Sequence, residues 1–312
     1  MKTSLTILLL SAVSCLAMAQ LYRTTHIDAE ITVVDPEGKP VEGANVRLGF
    51  PRYGEGRKDV MVNGMTDKDG LIRLNGEAEQ VYNIHVQCDG FYQHREPKRT
   101  IATPSEIERY AKGLQRVRIE LRPIINPVVG LGQLVERRKI PAFDTDLGFD
   151  LFVGDWVAPH GNGSSTDFIL RFSGRFNSVR DYDQSVQMRF PLSGDGISPI
   201  KVEYQHGSAL HYPYEAPTEG YAPERVWRTW HTGKQADRGV DPNAAYIIRF
   251  RTELDEQGNV KRALYGILGR DLQFGGDGRD GFMITFSYLV NPDWSRNIEF
   301  DPHGSFQNTK KN

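Results

Sequence analysis

Cysteine is almost absent from this chain: two occur in 312 residues, Cys15 and Cys88. Cys15 lies in a segment expected to be removed, so Cys88 stands alone and no intramolecular disulfide can staple the fold. An excess of one charge is lacking too, with Lys+Arg 38 against Asp+Glu 40. That balance leaves no electrostatic footprint for nucleic acid or an anionic membrane. No stretch approaches ~18 uncharged apolar residues, so no transmembrane segment is expected. Also missing are the His-Glu-x-x-His zinc signature, a Gly-x-Ser-x-Gly elbow, a phosphate loop, a Cys-x-x-Cys pair, and His-x-x-Glu at any histidine. These absences set aside the commonest motif-bearing hydrolases, though not enzymes generally.

Hydrophobic residues make up 39% and charged residues 25%, ordinary globular usage for a chain able to bury about two domains. Residues 1–19 read as a signal peptide. Lys2 supplies the positive start, Leu5 to Leu16 the apolar run, and Ala17-Met18-Ala19 the cleavage site before Gln20. The expected location is periplasmic, cell-surface or extracellular. The alternative is lipid anchoring at Cys15, although Ala12 stands where a lipoprotein signal prefers leucine.

Residues 20–124 alternate with period two. Ile27 to Val34 reads as a strand, and Asp35-Pro36-Glu37-Gly38-Lys39-Pro40 as a turn. Ala44, Val46 and Leu48 share the next face. Thr66-Asp67-Lys68-Asp69-Gly70 turns the chain into Leu71–Leu74. Tyr82, Ile84, Val86 and Cys88 share a further face, which makes Cys88 a buried small hydrophobe in expectation, with a reactive thiol as the alternative. Val117 to Leu121 alternates once more and stops at Pro123. Short strands at this spacing predict an antiparallel sandwich. One helix is predicted within it, where Thr103-Pro104-Ser105-Glu106 forms a cap and Ile107, Tyr110, Ala111 and Leu114 recur at helical spacing.

The ordered strings Val33-Val34-Asp35, Gly38 to Val46, Thr66 to Gly70, Tyr82 to Val86 and Gly90-Phe91-Tyr92 resemble the carboxypeptidase-regulatory-like family. The resemblance covers about a third of the chain. It implies a transthyretin-like, immunoglobulin-related fold and the role of a spacer or adhesion module, without peptidase activity.

Residues 125–312 stay β in character beyond the linker Ile124-Ile125-Asn126-Pro127. Phe168, Leu170 and Phe172 alternate, then Val186, Met188 and Phe190, then Tyr246 to Leu254. Asp255 to Asn259 predicts a hairpin into Val260–Leu268, and Phe282, Ile284, Phe286 and Tyr288 close the series. The expected fold class is all-β: an immunoglobulin-like/transthyretin-like sandwich followed by a larger β-sandwich or jelly-roll-like domain.

Candidate chemistry lies in this second half. Gly275 to Met283 fits one copy of the calcium nonapeptide pattern, whose sites need tandem copies; a glycine-rich hairpin loop explains it as well. Asp144, Asp146, Asp150 and Asp155 approximate EF-hand spacing, but Phe149 stands where the turn glycine belongs. His206, His211 and His231 show no shared-face spacing. No metal or cofactor is therefore expected. Tyr212, Tyr214, Tyr221, Trp227 and Trp230 crowd one proline-interrupted stretch, and such rings either fill a core or form a recognition platform. The leading expectation is an exported non-catalytic module binding glycan or another envelope component through these residues, oligomeric state open. The rivals are a carbohydrate-active enzyme using Asp144, Asp150 or Asp155, and a purely structural envelope protein.

Overall fold

In the computed structural model the strands follow the alternation of the sequence. It describes residues 24–79, 81–96, 99–100, 113–202, 207–239, 241, 243–276 and 281–300, and no helix occurs among them. The predicted signal peptide with Cys15, most of the predicted helix (101–112) and His206 lie outside the described residues. The chain divides into two units, Met1–Ile124 with Tyr204–Ala209, and Ile125–Glu203 with Leu210–Asn312.

The first unit contains β1 (Thr25–Val34), β2 (Asn45–Phe50), β3 (Val60–Met65), β4 (Leu71–Ala78), β5 (Val81–Gln87), β6 (His94–Arg95), β7 (Arg99–Thr100) and β8 (Gln115–Glu120). It also holds β15 (Gly207–Ser208) from later in the chain. One sheet has the order β4-β1-β8, the other β15-β6-β5-β2-β3 with β7 beside β5. Alternate residues of β1 (Ile27, Ala29, Ile31, Val33) meet Val46, Leu48, Tyr82, Ile84, Val86, Val117 and Ile119 in one buried core. That is the pattern expected of strands buried on one face. Two features differ from the sequence reading. The pairing of β1 with β8 is parallel, Ala29 opposite Gln115 through Val34 opposite Glu120; the long intervening chain allows this, whereas a hairpin does not. And Cys88, expected to be buried, lies one residue past β5 and is only partly covered.

Turn chemistry behaves as predicted. Asp67 Oδ1 accepts the backbone N–H groups of Asp69 and Leu71 at 2.9 Å each. Gly70 has φ +68°, and a Cβ there would stand 2.4 Å from the Val33 carbonyl oxygen, so conformation and close approach both require glycine.

The second unit is a two-sheet sandwich. Its strands are β9 (Leu131–Lys139), β10 (Asp146–Asp150), β11 (Asp155–Trp156), β12 (Phe168–Ser178), β13 (Asp181–Arg189), β14 (Gly196–Lys201), β16 (Glu224–Thr232), β17 (Gln235–Asp237), β18 (Ala244–Leu254), β19 (Val260–Gly276) and β20 (Phe282–Asn291). The sheet orders are β11-β10-β12-β13-β16-β17 and β14-β18-β19-β20-β9. Phe149, Phe168, Phe172, Val186, Met188 and Trp227 of the first sheet pack on Tyr246, Ile248, Phe250, Leu268, Phe286 and Tyr288 of the second.

The second sheet is covered on its outer face as well. Ile247, Tyr265 and Ile267 face outward and bury against Ala216, Ile298 and Phe300. Two segments, around 212–221 and 297–300, form this cover and are tied together by Ala216 N–H to Arg296 O (2.7 Å) and Ile298 N–H to Tyr214 O (2.9 Å). Double-sided burial explains why Tyr246 to Phe250 are all buried, as in strands with both faces covered.

Candidate ligand-binding site

Three successive rungs of the first sheet of the second unit define where its core ends. Phe172, Val186 and Trp227 are aligned across β12, β13 and β16, and all three are buried. Two residues further along the same faces, the aligned set is Gly174, Gln184 and Thr229; after that come Phe176, Tyr182 and His231. The inward face thus changes from apolar to glycine, amide and hydroxyl in one step. Gly174 has φ +115° and a Cβ there would meet the Asp183 carbonyl oxygen at 2.2 Å, so this position is kept without a side chain.

A cleft of about 480 Å³ opens at this level, within the roughly 300–1,000 Å³ of small-molecule sites. Gln184 and Thr229 line its depth, Phe176 and Tyr182 one wall, and Phe274 with the bare backbone of Gly275 and Gly276 the other. The Phe176 and Tyr182 rings stack at 6.1 Å and 23°. Phe282 braces Phe176 edge-on at 5.5 Å, and His231 meets Tyr182 edge-on at 6.0 Å. Thr229 Oγ1 donates to the Asp237 carbonyl at 3.2 Å.

Gln184 is 3% exposed, yet among the described residues its side-chain amide has no hydrogen-bond partner. An amide carries two donors and an acceptor, and Gln184 stands where the core opens into the cleft. Arg238 stands at the rim, exposed, with no carboxylate paired to it among the described residues. No described lining residue is Asp, Glu or Cys. The described lining offers ring faces, amide and hydroxyl groups and one cation.

The five aromatic residues singled out in the sequence are not brought together. Trp227 is 3% exposed in the main core. Its Nε1 donates to Asp271 Oδ1 at 2.6 Å and to Tyr246 Oη at 3.3 Å. Trp230 is three residues on, an odd offset along a strand, so it faces the opposite way and is half-buried opposite Asp183 and Asp237. Tyr212 and Tyr221 pack with the cover of the other sheet, and Tyr221 Oη donates to Pro217 O at 2.9 Å. Burial raises the Tyr221 pKa far above its ordinary value. Tyr214 lies in the same covering segment, half-buried. These five residues are thus divided between a core, an outer face and a cover. His211, edge-on to Tyr212 at 6.3 Å, and His231 on β16 likewise belong to different parts of the sandwich.

Of the carboxylates weighed for catalysis, Asp150 and Asp155 organise a loop. Asp150 Oδ1 accepts the N–H groups of Phe152 (3.0 Å) and Val153 (3.2 Å), and Oδ2 those of Ser164 (3.1 Å) and Ser165 (3.0 Å). Burial alone would raise its pKa, but the four backbone donors outweigh this and hold it below the ordinary carboxylate range. Asp155 receives Trp156 N–H (2.9 Å), Asn162 N–H (3.1 Å) and Arg138. Asp167, unremarked in the sequence, accepts Arg251 Nε at 2.6 Å and Leu151 N–H at 2.7 Å. Burial pushes its pKa upward despite these partners. Asp144 sits apart on a turn at φ +53°.

No family model matches this chain, and no curated protein does. Among solved structures, an intradiol ring-cleavage dioxygenase from Tetranychus urticae is 10% identical with a TM-score of 0.23, over 33% of this chain and 83% of that one. A protein from Bacteroides uniformis, provisionally described as carbohydrate-binding, is 8% identical with a TM-score of 0.21, over 85% and 98%. The major pilin subunit BcpA of Bacillus cereus is 11% identical with a TM-score of 0.22, over 91% and 97%. Likenesses of this size carry no argument about function, and the all-β sandwich architecture stands on the strands and cores of the chain itself.

Proposed function

We propose that this protein is an exported, non-catalytic binding module that takes a saccharide in the cleft of its second unit. The observation that carries the reading is Gln184: an almost wholly enclosed residue at a core-facing position, lining the cleft beside Phe176, Tyr182 and Phe274, whose amide has no hydrogen-bond partner among the described residues. Sugars offer what such a site lacks, hydroxyl groups for the amide and C–H faces for the rings. Export rests on the Lys2, Leu5–Leu16 and Ala17-Met18-Ala19 pattern. The strings from Val33 to Tyr92 support reading the first unit as a carboxypeptidase-regulatory-like spacer that presents the second.

The test pairs a glycan array with turnover assays on the same purified protein. Binding of at least one saccharide without hydrolysis is expected, and Gln184→Leu should weaken that binding about tenfold or more while leaving the melting temperature near that of the parent. Turnover abolished by substitution at a carboxylate would return the enzyme reading. Absence of saccharide binding throughout would leave the structural envelope role.

A further inference from the structure

The cleft has a charge asymmetry that the saccharide reading alone does not use. Arg238 supplies the single charged side chain among the described lining residues, none of which is a carboxylate. The exposed arginines on the strands of this sheet are matched to acids: Arg228 holds Asp183 through Nε at 2.7 Å and Nη2 at 2.6 Å, Arg175 meets Asp181 at 2.8 Å, and Arg189 meets Asp146 at 2.5 Å; the more enclosed Arg225 stacks on the Tyr246 and Trp227 rings instead. Arg238 follows Asp237, whose carboxylate is engaged by the Gly239 N–H at 2.7 Å. The nearest acid in sequence is therefore folded into its own turn, and among the described residues no acid takes up the fork of donors at the rim. A planar fork matches a carboxylate or a sulfate in two-point contact.

We infer that the cleft selects an acidic saccharide, one bearing a carboxylate or a sulfate ester, with the anionic group on Arg238 and a neighbouring hydroxyl on Gln184. The inference rests on the saccharide reading above and adds the chemical class. The two contacts have separate jobs. The guanidinium at the exposed rim supplies charge selection, which salt screens. The amide in the buried floor supplies hydrogen bonds that any correctly oriented hydroxyl can take, so its contribution is shared by acidic and neutral sugars. Phe176 and Tyr182 present one aromatic wall to the sugar ring, a contact indifferent to charge.

The experiment measures dissociation constants of the purified protein, by ligand-observed NMR, for methyl glucuronide, glucose 6-sulfate and methyl glucoside, supplemented by uronate-containing and neutral oligosaccharides of matched length. Acidic members should bind about tenfold or more tightly than their neutral counterparts at low salt, with the gap narrowing in 0.5 M NaCl. Whichever of glucuronide and 6-sulfate binds more tightly identifies the anion. Arg238→Gln, at an exposed position, should erase the preference while retaining neutral binding; Gln184→Leu should weaken both classes by a similar factor. Equal binding of acidic and neutral sugars overturns the inference and leaves the saccharide reading intact. A preference that survives Arg238→Gln also overturns it, because the anion is then held elsewhere. Failure of every sugar to bind the parent protein overturns both.

Discussion

The indole nitrogen of Trp227 lies 2.6 Å from Oδ1 of Asp271, and the Tyr246 hydroxyl converges on the same oxygen. The second carboxylate oxygen accepts the Asp241 N–H at 2.6 Å. Arg225 completes the cluster with its guanidinium 4.4 Å from the Tyr246 ring centre and 5.2 Å from that of Trp227. A polar junction built into the core in this way makes each partner costly to remove. Trp227→Ala should lower stability by about 3–5 kcal/mol, as for other large-to-small core changes. Asp271→Leu should cost about 1–3 kcal/mol for each donor left unpaired. Urea unfolding of both variants, with Trp230→Ala as the outward-facing control at about 1 kcal/mol or less, checks the ordering. Equal losses at 227 and 230 would contradict it.

The same junction predicts an alkaline limit. Burial, and then the hydrogen bond to Asp271, push the Tyr246 pKa up to about 12. Its neutral form is thus favoured by folding, and that stability is complete below the ordinary tyrosine value of about 10. It is lost as pH rises from there through about 12. Tyr246→Phe should be less stable at pH 8 but show a shallower loss of stability above pH 10 in denaturant titrations.

At acid pH the sign reverses for Asp150. Its pKa is held down in the folded state, so its contribution is present above the unfolded value of about 4 and is lost as pH falls below it. Asp150→Asn places amide hydrogens where N–H groups already point, and should cost about 1–3 kcal/mol at pH 7. Between pH 5 and 3 the variant should then lose less stability than the parent. A parallel pair of stability curves would show that the loop around 150–167 is held by other groups.

In the first unit, Gly70→Ala brings a Cβ within 2.4 Å of the Val33 oxygen at φ +68°. A loss of at least ~1–2 kcal/mol is expected from the left-handed conformation alone. Gly43→Ala, also at positive φ (+72°) but with open space around it, separates conformational cost from collision when the two melting temperatures are compared.

Cys88 tests how much cover a strand-end residue receives. Burial, then the charge of Asp89, raise its pKa above the ordinary thiol value, which lowers the reactive thiolate fraction near neutrality. Labelling by a thiol reagent at pH 8 should be slower in the native protein than in urea. Native labelling at the unfolded rate would place the sulfur in open solvent.

Much of this fold could be read from period-two patterning. Ile27 to Val33, Tyr82 to Val86, Phe168 to Phe172 and Tyr246 to Phe250 each put the expected residues in a core. The Asp255–Asn259 turn likewise forms as read, with Asp255 Oδ1 accepting Asn259 N–H at 2.8 Å. What periodicity lacks is partnership between distant strands. Nothing local says that β1 lies parallel to β8, or that β15 adds to β6 through Gly207 opposite Arg95. The distribution of the aromatic stretch is hidden for the same reason, because a ring's exposure depends on which segment covers it. The cleft had a signal that went unused: the face carrying Met188 and Val186 continues into Gln184 and Tyr182, a break in apolar alternation midway along a strand. Recognising it as a site needed Gly174, Thr229 and Phe274 beside it, which only the pairing supplies.

The rung arrangement separates the residues that hold the core together from those that line the cleft, although both sit on the same strands. Register across β12, β13 and β16 is enforced by Phe172, Val186 and Trp227, because a slip by one residue would turn every one of them outward. Gln184 and Thr229 inherit that alignment without having to enforce it. Substitution at 184, 229 or 238 can therefore change the chemistry of the cleft one side chain at a time while Phe172, Val186 and Trp227 hold its geometry.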